Sequence, residues 1–382
     1  GYHAYFAQEF RRNSDTQLNN WSEDPRLTPP HYGASNLFFL YLMQHYGGYQ
    51  NLKLLLNGPE DGIEAVNAYL TRLGYDKTFK DVYKDWAIAN AVNASDGPYG
   101  YTERKVPILD TKLMIGEGSR RGELGQFGSH YINLRFAEGD VLVSFEGNET
   151  VPLIPVQAHS GDYCWWSNRG DSIDSTLTRQ FDLSRLDKAT LEFWAWYELE
   201  ERWDYIYIEV SADGGLTWDI LKGMHTSEAN PVGNSFGHGL TGKSNGWIQE
   251  RFDLTPYAGD KVLLRFQYVT DDAVNLRGLC LDDLSIPELG YFDDAEEDRG
   301  WKAEGFVRTN NRLPQDFFVQ VIEQGKNTRV REMELDQNRK GEVLIEGFGS
   351  QVKDAILVIS PVTPGTTEPA HYTLTVKRVG EK

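Results

Sequence analysis

The sequence predicts a multidomain protein in which a small all-α N-terminal lobe is followed by all-β domains. Three observations predict this fold class. Apolar residues recur every three or four positions over roughly the first ninety residues, whereas they alternate with polar residues from about residue 128 onward. A turn-rich linker, Asn93-Ala94-Ser95-Asp96-Gly97-Pro98, separates the two patterns. At 382 residues, the chain has room for two or three domains.

Helical patterns in the N-terminal lobe are bounded by recognisable end signals. The run from Asn36 to Tyr46 is apolar almost all round and stops at Gly47-Gly48, which predicts a core helix with a glycine cap. Asp61 precedes Glu64 by three residues, the spacing of a capping box, and predicts the start of another helix. Apolar residues at spacings of three and four from Phe79 to Ala87 predict the last helix of the lobe.

Alternating residues predict strands in the middle of the chain. Thr190–Tyr197 and Tyr205–Ser211 alternate apolar and polar side chains, and the second run ends at Ala212-Asp213-Gly214-Gly215, which predicts a hairpin turn. Val262–Tyr268 and Leu279–Ile286 are two further strands of the same kind. Together these strands predict one eight-stranded jelly roll.

The segments on either side of the jelly roll also read as strands. Tyr131–Phe145 is predicted to be a hairpin, and Phe317–Val376 contains four or five strands, but neither segment is long enough for two sheets. We therefore expect a jelly-roll sandwich inserted in a second β-sandwich, or flanked by it as two consecutive small domains. The predicted boundaries are a helical lobe at 1–95, a linker and first sandwich strands at 96–157, a jelly roll at 158–299, and C-terminal sandwich strands at 300–382 that form one domain with 125–157 in the inserted arrangement.

The charge and the composition of the chain argue against some classes of function. The chain has 57 acidic and 38 basic residues, a net charge of −19 that would repel nucleic acid. It contains no apolar run long enough to span a membrane. Low cysteine and methionine content favours a secreted bacterial protein, located extracellularly or at the cell surface. Because the sequence opens without Met and within an amphipathic segment, we expect a processed or truncated piece of a longer protein.

Motifs for common catalytic mechanisms are absent from the sequence. No two of its eight histidines lie within four residues of each other, so no helix presents a paired-histidine zinc site, and there is no HExxH. A Gly-x-Ser-x-Gly elbow, a phosphate loop and a dinucleotide fingerprint are also missing. His45 lies within an apolar helix and is interpreted as a core residue. These 382 residues therefore contain no complete active site.

Acidic side chains are the better candidates for a site, because calcium binds six to eight oxygen ligands that carboxylates and loop carbonyls can supply. One pair of aspartates follows the predicted first strand of the jelly roll, and a second pair lies in its last strand, which is commonly a neighbour of the first. The alternative is a solvated acidic surface. The candidate calcium ligands are Asp171, Asp174, Asp282 and Asp283.

The cysteines and the tryptophans each have two possible roles. Cys164 and Cys280 lie near those same two strands, so they form either a disulfide or two buried free thiols. Several tryptophans lie in or beside the jelly-roll strands, where they line a sugar-binding surface or, as strand alternation favours, pack in the core. These tryptophans are Trp165, Trp166, Trp194, Trp196, Trp203 and Trp218.

An ordered set of strings resembles the carboxy-terminal region of secreted metallopeptidases of the immune inhibitor A type. The resemblance covers roughly residues 125–310 and implies a jelly-roll accessory module, stabilised by calcium, downstream of a zinc endopeptidase domain. The strings are Cys164-Trp165-Trp166-Ser167-Asn168-Arg169-Gly170-Asp171, Trp203-Asp204-Tyr205, Val210-Ser211-Ala212-Asp213-Gly214-Gly215-Leu216-Thr217-Trp218, Asp253-Leu254-Thr255-Pro256-Tyr257-Ala258-Gly259, Leu281-Asp282-Asp283-Leu284 and Gly300-Trp301-Lys302-Ala303-Glu304-Gly305-Phe306.

The helical start resembles the lower lobe of gluzincin-like peptidases. The similarity lies in the segment that begins His31-Tyr32-Gly33-Ala34-Ser35-Asn36 and in Val82-Tyr83-Lys84-Asp85-Trp86-Ala87-Ile88-Ala89-Asn90. In such enzymes a Tyr or His of this lobe can stabilise the oxyanion, so Tyr32 or His31 is the candidate for a residue that faces the cleft. The alternative is that these residues pack at the entrance of the helix. The zinc ligands and the general base would lie upstream of residue 1, and zinc is expected only together with that lobe.

Two functions are therefore expected from the sequence. The first is the C-terminal portion of a secreted zinc-dependent endopeptidase, with a peptide or protein substrate and its own upstream catalytic fragment as partners. The second is a non-catalytic extracellular protein that attaches to glycan or to the cell envelope. Neither function involves nucleic acid or a membrane span.

Overall fold

A computed structural model describes residues 2–22, 24–101 and 113–380. The chain forms two compact units. The first unit comprises Gly1–Leu153 together with Leu313–Lys382, and the inserted unit comprises Ile154–Arg312. Part of the predicted linker, residues 102–112, lies outside the described residues. A helical N-terminal region followed by many strands confirms the predicted fold class.

The helices of the first unit match the predicted helical segments. The second helix is buried at most of its positions, and Gly47 follows it with a φ of 89°, as a glycine cap requires. The predicted capping box at Asp61 is wrong, because its side chain makes no capping hydrogen bond. Thr78 and Asp81 form one instead at the next helix. The helices are α1 (Tyr2–Arg12), α2 (Pro29–His45), α3 (Leu52–Leu56), α4 (Gly62–Arg72) and α5 (Phe79–Val92).

A nine-stranded sheet, drawn from both segments of the first unit, packs against these helices. Its main path runs β1-β3-β21-β20-β4-β22-β2, with β18 and β19 joined to it through β21. A small two-stranded sheet pairs β5 with β17. The strands of this unit are β1 (Leu113–Ile115), β2 (Gly118–Leu124), β3 (His130–Leu134), β4 (Gly139–Gly147), β5 (Thr150–Val151), β17 (Leu313–Pro314), β18 (Phe317–Gly325), β19 (Thr328–Glu332), β20 (Lys340–Phe348), β21 (Val352–Pro361) and β22 (Ala370–Val379).

Strands β3 and β4 are consecutive in sequence but are not paired with each other. Strand β3 pairs with β21, and β4 lies between β20 and β22. The predicted Tyr131–Phe145 hairpin is therefore wrong, because strands that follow the inserted unit take the hydrogen-bonding positions on both sides of β4. Both faces of the sheet are covered, so alternate residues such as Tyr131 and Ile132 enter two different hydrophobic clusters.

The inserted unit is a sandwich of two mainly antiparallel sheets around one hydrophobic core. Five strands form one sheet in the order β10-β9-β12-β7-β15, and six form the other as β11-β8-β13-β6-β16 with β14 beside β13. The strands are β6 (Cys164–Trp166), β7 (Asp174–Asp182), β8 (Thr190–Glu198), β9 (Tyr205–Ser211), β10 (Asp219–Ile220), β11 (Ile248–Asp253), β12 (Lys261–Val269), β13 (Gly278–Ile286), β14 (Tyr291–Asp293), β15 (Lys302–Glu304) and β16 (Val307–Thr309).

The amide of Asn311 joins the two ends of the inserted unit. Its Nδ2 donates to the carbonyl oxygens of Ile154 at 2.9 Å and Val156 at 2.6 Å. Its Oδ1 accepts the backbone N–H of Ile154 at 2.8 Å. The chain therefore enters and leaves this unit at neighbouring points.

Within residues 2–22, 24–101 and 113–380, no helix combines the length and the apolar character needed to cross a bilayer.

Candidate metal centre

Three acidic residues meet at one end of the five-stranded sheet of the inserted unit. Glu200 and Asp204 lie in the turn between β8 and β9, where the Glu200 carbonyl accepts the N–H of Asp204 at 3.0 Å. Asp271 follows β12. Because Tyr205 pairs with Val269, the residues just before β9 and just after β12 emerge at the same sheet end. One carboxylate oxygen from each acid lies within 4.8 Å of the other two.

Asp204 is the buried member of this acidic group. Its side chain is fully buried, and its Oδ1 accepts the backbone N–H of Asp271 at 3.1 Å. Its Oδ2 is buried without a hydrogen-bond partner among the described residues. Burial raises the pKa of Asp204 to about 7, and the neighbouring charges of Asp271 and Glu200 act in the same direction. Burial therefore favours the protonated form of this carboxyl group unless a cation or a further hydrogen-bond donor compensates its charge.

Tyr268 places a second buried oxygen near the group. Its side chain is fully buried, and its hydroxyl has no hydrogen-bond partner among the residues that the structure describes. Burial first, and then the charge of Asp204, raise the pKa of Tyr268. The phenol therefore stays neutral at physiological pH.

The donor set of this group fits a hard cation. Three carboxylates supply part of the six to eight oxygens that Ca²⁺ takes, and a cation there would offset the orphaned charge on Asp204. Zinc fits less well, because it prefers histidine and cysteine ligands. The described residues contain no group of three or more metal-ligand side chains that includes either type. We therefore derive no zinc chemistry from this chain.

The four aspartates predicted as calcium ligands are not brought together. Asp171 accepts a hydrogen bond from the Asn275 amide at 2.6 Å, and Asp174 accepts one from the Gln267 amide at 2.7 Å. Both are exposed. The other two lie on β13 and bind a different loop. None of the four belongs to the acidic group of Glu200, Asp204 and Asp271.

Asp282 and Asp283 hold the loop that contains His159 and Ser160. Buried Asp282 accepts the N–H groups of His159 at 2.8 Å, Ser160 at 3.1 Å and Asp283 at 2.8 Å. Burial nevertheless raises the pKa of Asp282 to about 7. Asp283 has a φ of 49° at an irregularity in the pairing of β13 with β8. Its carboxylate oxygens lie 2.6 Å from His159 Nδ1 and from Ser160 Oγ.

Aromatic rings surround this loop. His159 stacks on Trp194 with ring centroids 4.0 Å apart, and Trp247 lies edge-on to His159 at 5.7 Å. Several tryptophans of the predicted cluster take other places. Trp203 is 40% exposed. The Arg265 guanidinium lies over the ring of Trp218, and the buried members are Trp165, Trp166 and Trp196.

Cys164 and Cys280 are joined by a disulfide bond in the structure. They lie on the paired strands β6 and β13, with their Cα atoms 6.3 Å apart, and both are buried. The bond ties β13 to β6 two residues before Asp282.

His31 and Tyr32, the residues expected to face a catalytic cleft, lie at the start of α2 in the first unit. His31 Nδ1 is 3.2 Å from the carbonyl oxygen of Gln17, and burial lowers the pKa of its ring. Tyr32 is 49% exposed. Both rings contact Trp21, and Tyr32 also contacts Phe6. The structure thus places them in an aromatic cluster.

Sequence reasoning missed the acidic group. Of the three acids, only Asp204 lies in a string that the sequence singles out, Trp203-Asp204-Tyr205, and neither Glu200 nor Asp271 is among the predicted ligands. The signal was present in part, since acids stand at the end of one predicted strand and the start of another. Their convergence depends on the pairing of β9 with β12, which alternation does not reveal.

Comparisons with known proteins bear on the inserted unit. Residues 140–311 match the family model described as "Immune inhibitor A-like, MAM domain". The chain is similar to the "Pre-pro-metalloprotease PrtV" of Vibrio cholerae serotype O1, with 29% identity over 165 residues. It is also similar to "Immune inhibitor A" of Bacillus thuringiensis subsp. alesti, with 32% identity over 152 residues.

The matched regions cover only part of each chain. They include 42% of this chain and 17% of the Vibrio protein, and 38% of this chain and 21% of the Bacillus thuringiensis protein. "Bacillopeptidase F" of Bacillus subtilis matches 26% of this chain and 6% of its own length, at 26% identity. The resemblance predicted from the sequence is thereby confirmed: residues 140–311 match the MAM-domain model of the immune inhibitor A-like family, and the chain is similar to parts of a metalloprotease and of an immune inhibitor A.

Proposed function

We propose that this chain serves as the C-terminal portion of a secreted zinc-dependent endopeptidase. Residues 1–95 are its lower catalytic lobe, and the β-domains that follow are accessory domains stabilised by calcium. Support comes from the Vibrio relative, which is named as a metalloprotease, and from the order of helical and β regions along the chain. Peptides or proteins are the substrate class in this proposal, and the protein acts outside the cell.

Zinc enters this proposal only through residues upstream of residue 1. The sequence contains no HExxH, and no described group of side chains fits zinc. The zinc ligands and the general base therefore belong to an upstream catalytic segment, which is the chain's proposed partner. Zinc-dependent peptide hydrolysis by this chain alone would contradict the assignment.

The calcium part of the proposal rests on the buried Asp204 carboxylate. One of its oxygens lacks a donor among the described residues, and two further carboxylates lie within 4.8 Å. Burying such a charge is unfavourable unless a cation or a proton compensates it. The ligands are Glu200, Asp204 and Asp271. They link the β8–β9 turn to the segment after β12, so the ion stabilises both loops.

Calcium titration of the chelator-treated chain tests this site. We expect saturable binding by calorimetry, and about 2.7 kcal/mol of added unfolding free energy at a hundredfold excess over Kd. Asp204→Asn should abolish both effects. Asp174→Asn, a change at an exposed aspartate outside the group, should retain them. An unchanged thermal midpoint on chelation, or normal binding by Asp204→Asn, would overturn the calcium site and leave the peptidase assignment standing.

Attachment to glycan is the second candidate function, and the aromatic group around His159 favours it. The rings of His159, Trp194 and Trp247 lie together, beside the Asp283 carboxylate, and aromatic rings stack on the apolar faces of sugars. Cell-envelope glycan should then change tryptophan fluorescence saturably, and Trp247→Ala should reduce the change. No response to glycan would remove this function from consideration.

A further inference from the structure

Tyr268 places a hydroxyl group inside the core of the inserted unit. It lies on β12, pairs with Ile206 of β9 and belongs to the hydrophobic cluster between the two sheets. Its side chain is fully buried, and its hydroxyl has no hydrogen-bond partner within the described parts of the chain. Burying a hydroxyl without a partner is unfavourable. An acceptor for this group therefore has to be sought among its neighbours.

Asp204 lies on the same side of the sheet as Tyr268. It stands two residues before Ile206, and side chains two residues apart along a strand point to the same face. Burial raises the pKa of Tyr268, and the negative charge of Asp204 raises it further, more than any other charge does. The hydroxyl therefore lies near the buried carboxylate and keeps its proton, so it can act as a donor towards Asp204.

The other polar neighbours of Tyr268 are poor acceptors for its hydroxyl. Arg169 carries donors only, and Asp171 is exposed to water and already accepts a hydrogen bond. Thr270, two residues further along the chain, both donates and accepts a hydrogen bond through its own hydroxyl. By contrast, Oδ2 of Asp204 is buried and has no donor among the residues that the structure describes.

A cation at the acidic group would make Asp204 a better acceptor. Burial favours the protonated carboxyl group, whereas a bound cation favours the ionised one. A hydroxyl donor binds an ionised carboxylate more strongly than a neutral carboxyl group. The carboxylate can take both partners, because its two oxygens offer about four lone-pair sites and the N–H of Asp271 fills one.

We propose that Tyr268 is a positioning residue of the cation site formed by Glu200, Asp204 and Asp271: its hydroxyl donates to Oδ2 of Asp204 when the cation is bound. This hydrogen bond keeps the carboxylate ionised and directed towards the cation, on the side of the site that faces the core. The inference rests on the calcium site proposed above and adds a residue on which the calcium affinity depends.

Calorimetric titration of the chelator-treated whole chain with calcium tests the proposal. Tyr268→Phe removes only the hydroxyl oxygen, so we expect calcium binding to weaken by about tenfold or more. Its thermal midpoint in chelator should stay close to that of wild type, because this hydroxyl has no partner in the described structure. Tyr207→Phe is the matched control. It removes the hydroxyl of another buried tyrosine, which accepts the N–H of Phe236, and should leave the calcium affinity unchanged.

A ¹³C label at Cζ of tyrosine gives a direct signal from the phenol. The Tyr268 signal, identified by its loss in Tyr268→Phe, should shift as calcium is added and saturate with the calorimetric affinity. An unshifted signal would overturn the proposal, and so would an equal loss of affinity in Tyr207→Phe. A thermal midpoint of Tyr268→Phe that falls as much in chelator as with calcium would also overturn it, since that result indicates a purely structural role.

The calcium site and the role of Tyr268 can fail separately in this experiment. If the wild-type chain binds no calcium, the calcium site is wrong and the inference fails with it. If the wild-type chain binds calcium and Tyr268→Phe binds it equally well, the site stands and only the role of Tyr268 is wrong.

Discussion

Two buried aspartates of the inserted unit, Asp204 and Asp282, differ in what surrounds their carboxylates. Both side chains are fully buried, and burial raises the pKa of each to about 7. Asp282 accepts three backbone N–H groups, which occupy both of its oxygens. Asp204 accepts one, and its second oxygen has no partner among the described residues, although two acids lie nearby.

The number of N–H donors distinguishes two ways in which a protein can bury a carboxylate. At Asp282 three backbone N–H groups offset part of the cost of burial, so the carboxylate organises a loop. At Asp204 the neighbouring groups are themselves acidic and raise the energy of the charge. Counting N–H donors around a buried carboxylate therefore distinguishes these two sites, whereas counting acids in the sequence does not.

The largest expected effect comes from removing the disulfide beside Asp282. A Cys164→Ala, Cys280→Ala double variant should lose about 2–5 kcal/mol of unfolding free energy, because a cross-link between residues 116 apart restricts the unfolded chain. Urea unfolding measures the loss. The calcium response assigned to Asp204 should persist in the folded variant. If calcium binding disappears as well, the two regions are not independent.

Removing the Asp282 carboxylate should have the next largest effect. Asp282→Ala leaves three N–H groups without their acceptor, so we expect a loss of about 2–4 kcal/mol, measured by urea unfolding. The loss should be equal with calcium and with chelator, because no cation is needed there. Asp171→Ala, at an exposed position, should stay within about 0.5 kcal/mol of wild type. A loss seen only with calcium present would assign the ion to Asp282 instead.

Replacing each aspartate with asparagine should change the unfolding free energy in opposite directions, when both variants are measured with chelator at pH 8. Above a pKa of about 7 the Asp204 carboxylate is ionised and uncompensated, so Asp204→Asn should raise the unfolding free energy by about 1–2 kcal/mol. Asp282→Asn should lower it, because the new NH₂ group faces backbone N–H donors. If urea unfolding shows that both variants gain or both lose unfolding free energy, the two aspartates do not differ in the way described here.

The smallest expected effect concerns Asp213, an exposed acid in the turn after β9. Its carboxylate accepts hydrogen bonds from Thr217, Ser211 and Leu216, and these hold its pKa well below the ordinary value. A lowered pKa stabilises the fold above about pH 4, and this contribution is lost as the pH falls further. Asp213→Asn should therefore lower the thermal midpoint slightly at pH 7 and by less at pH 2. A difference that grows in acid would contradict this assignment.

Local signals in the sequence were sufficient for much of the fold. The apolar run around Tyr41 predicts α2, and alternation predicts β8, β9, β12 and β13, because both patterns are set by residues close in sequence. The predicted Asp61 cap does not form although its spacing was correct. A capping box forms instead at the next helix, between Thr78 and Asp81. Capping depends on the actual entry of the chain into a helix, which spacing alone does not fix.

Long-range pairing was the part that the sequence did not reveal. Strand β4 lies between β20 and β22, so the predicted hairpin with β3 had no free edge to form on. In the same way, Glu200 and Asp204 meet Asp271 because β9 pairs with β12. The acids predicted as ligands follow β6 or lie on β13, and although these two strands pair, the four acids do not form one group. Which acids converge is decided by register between distant strands, and no single segment encodes it.

The Asn311 contacts with Ile154 and Val156 also have a consequence for the order of events during synthesis. Glu146 of β4 pairs with Lys340 of β20, which the ribosome adds roughly ten seconds or more later at typical rates. During that interval β4 has no neighbouring strand to pair with, and every strand of the inserted unit is synthesised. The inserted unit can therefore fold first. Because its two ends lie close together, the chain that follows it then emerges near β4, with which β20 pairs.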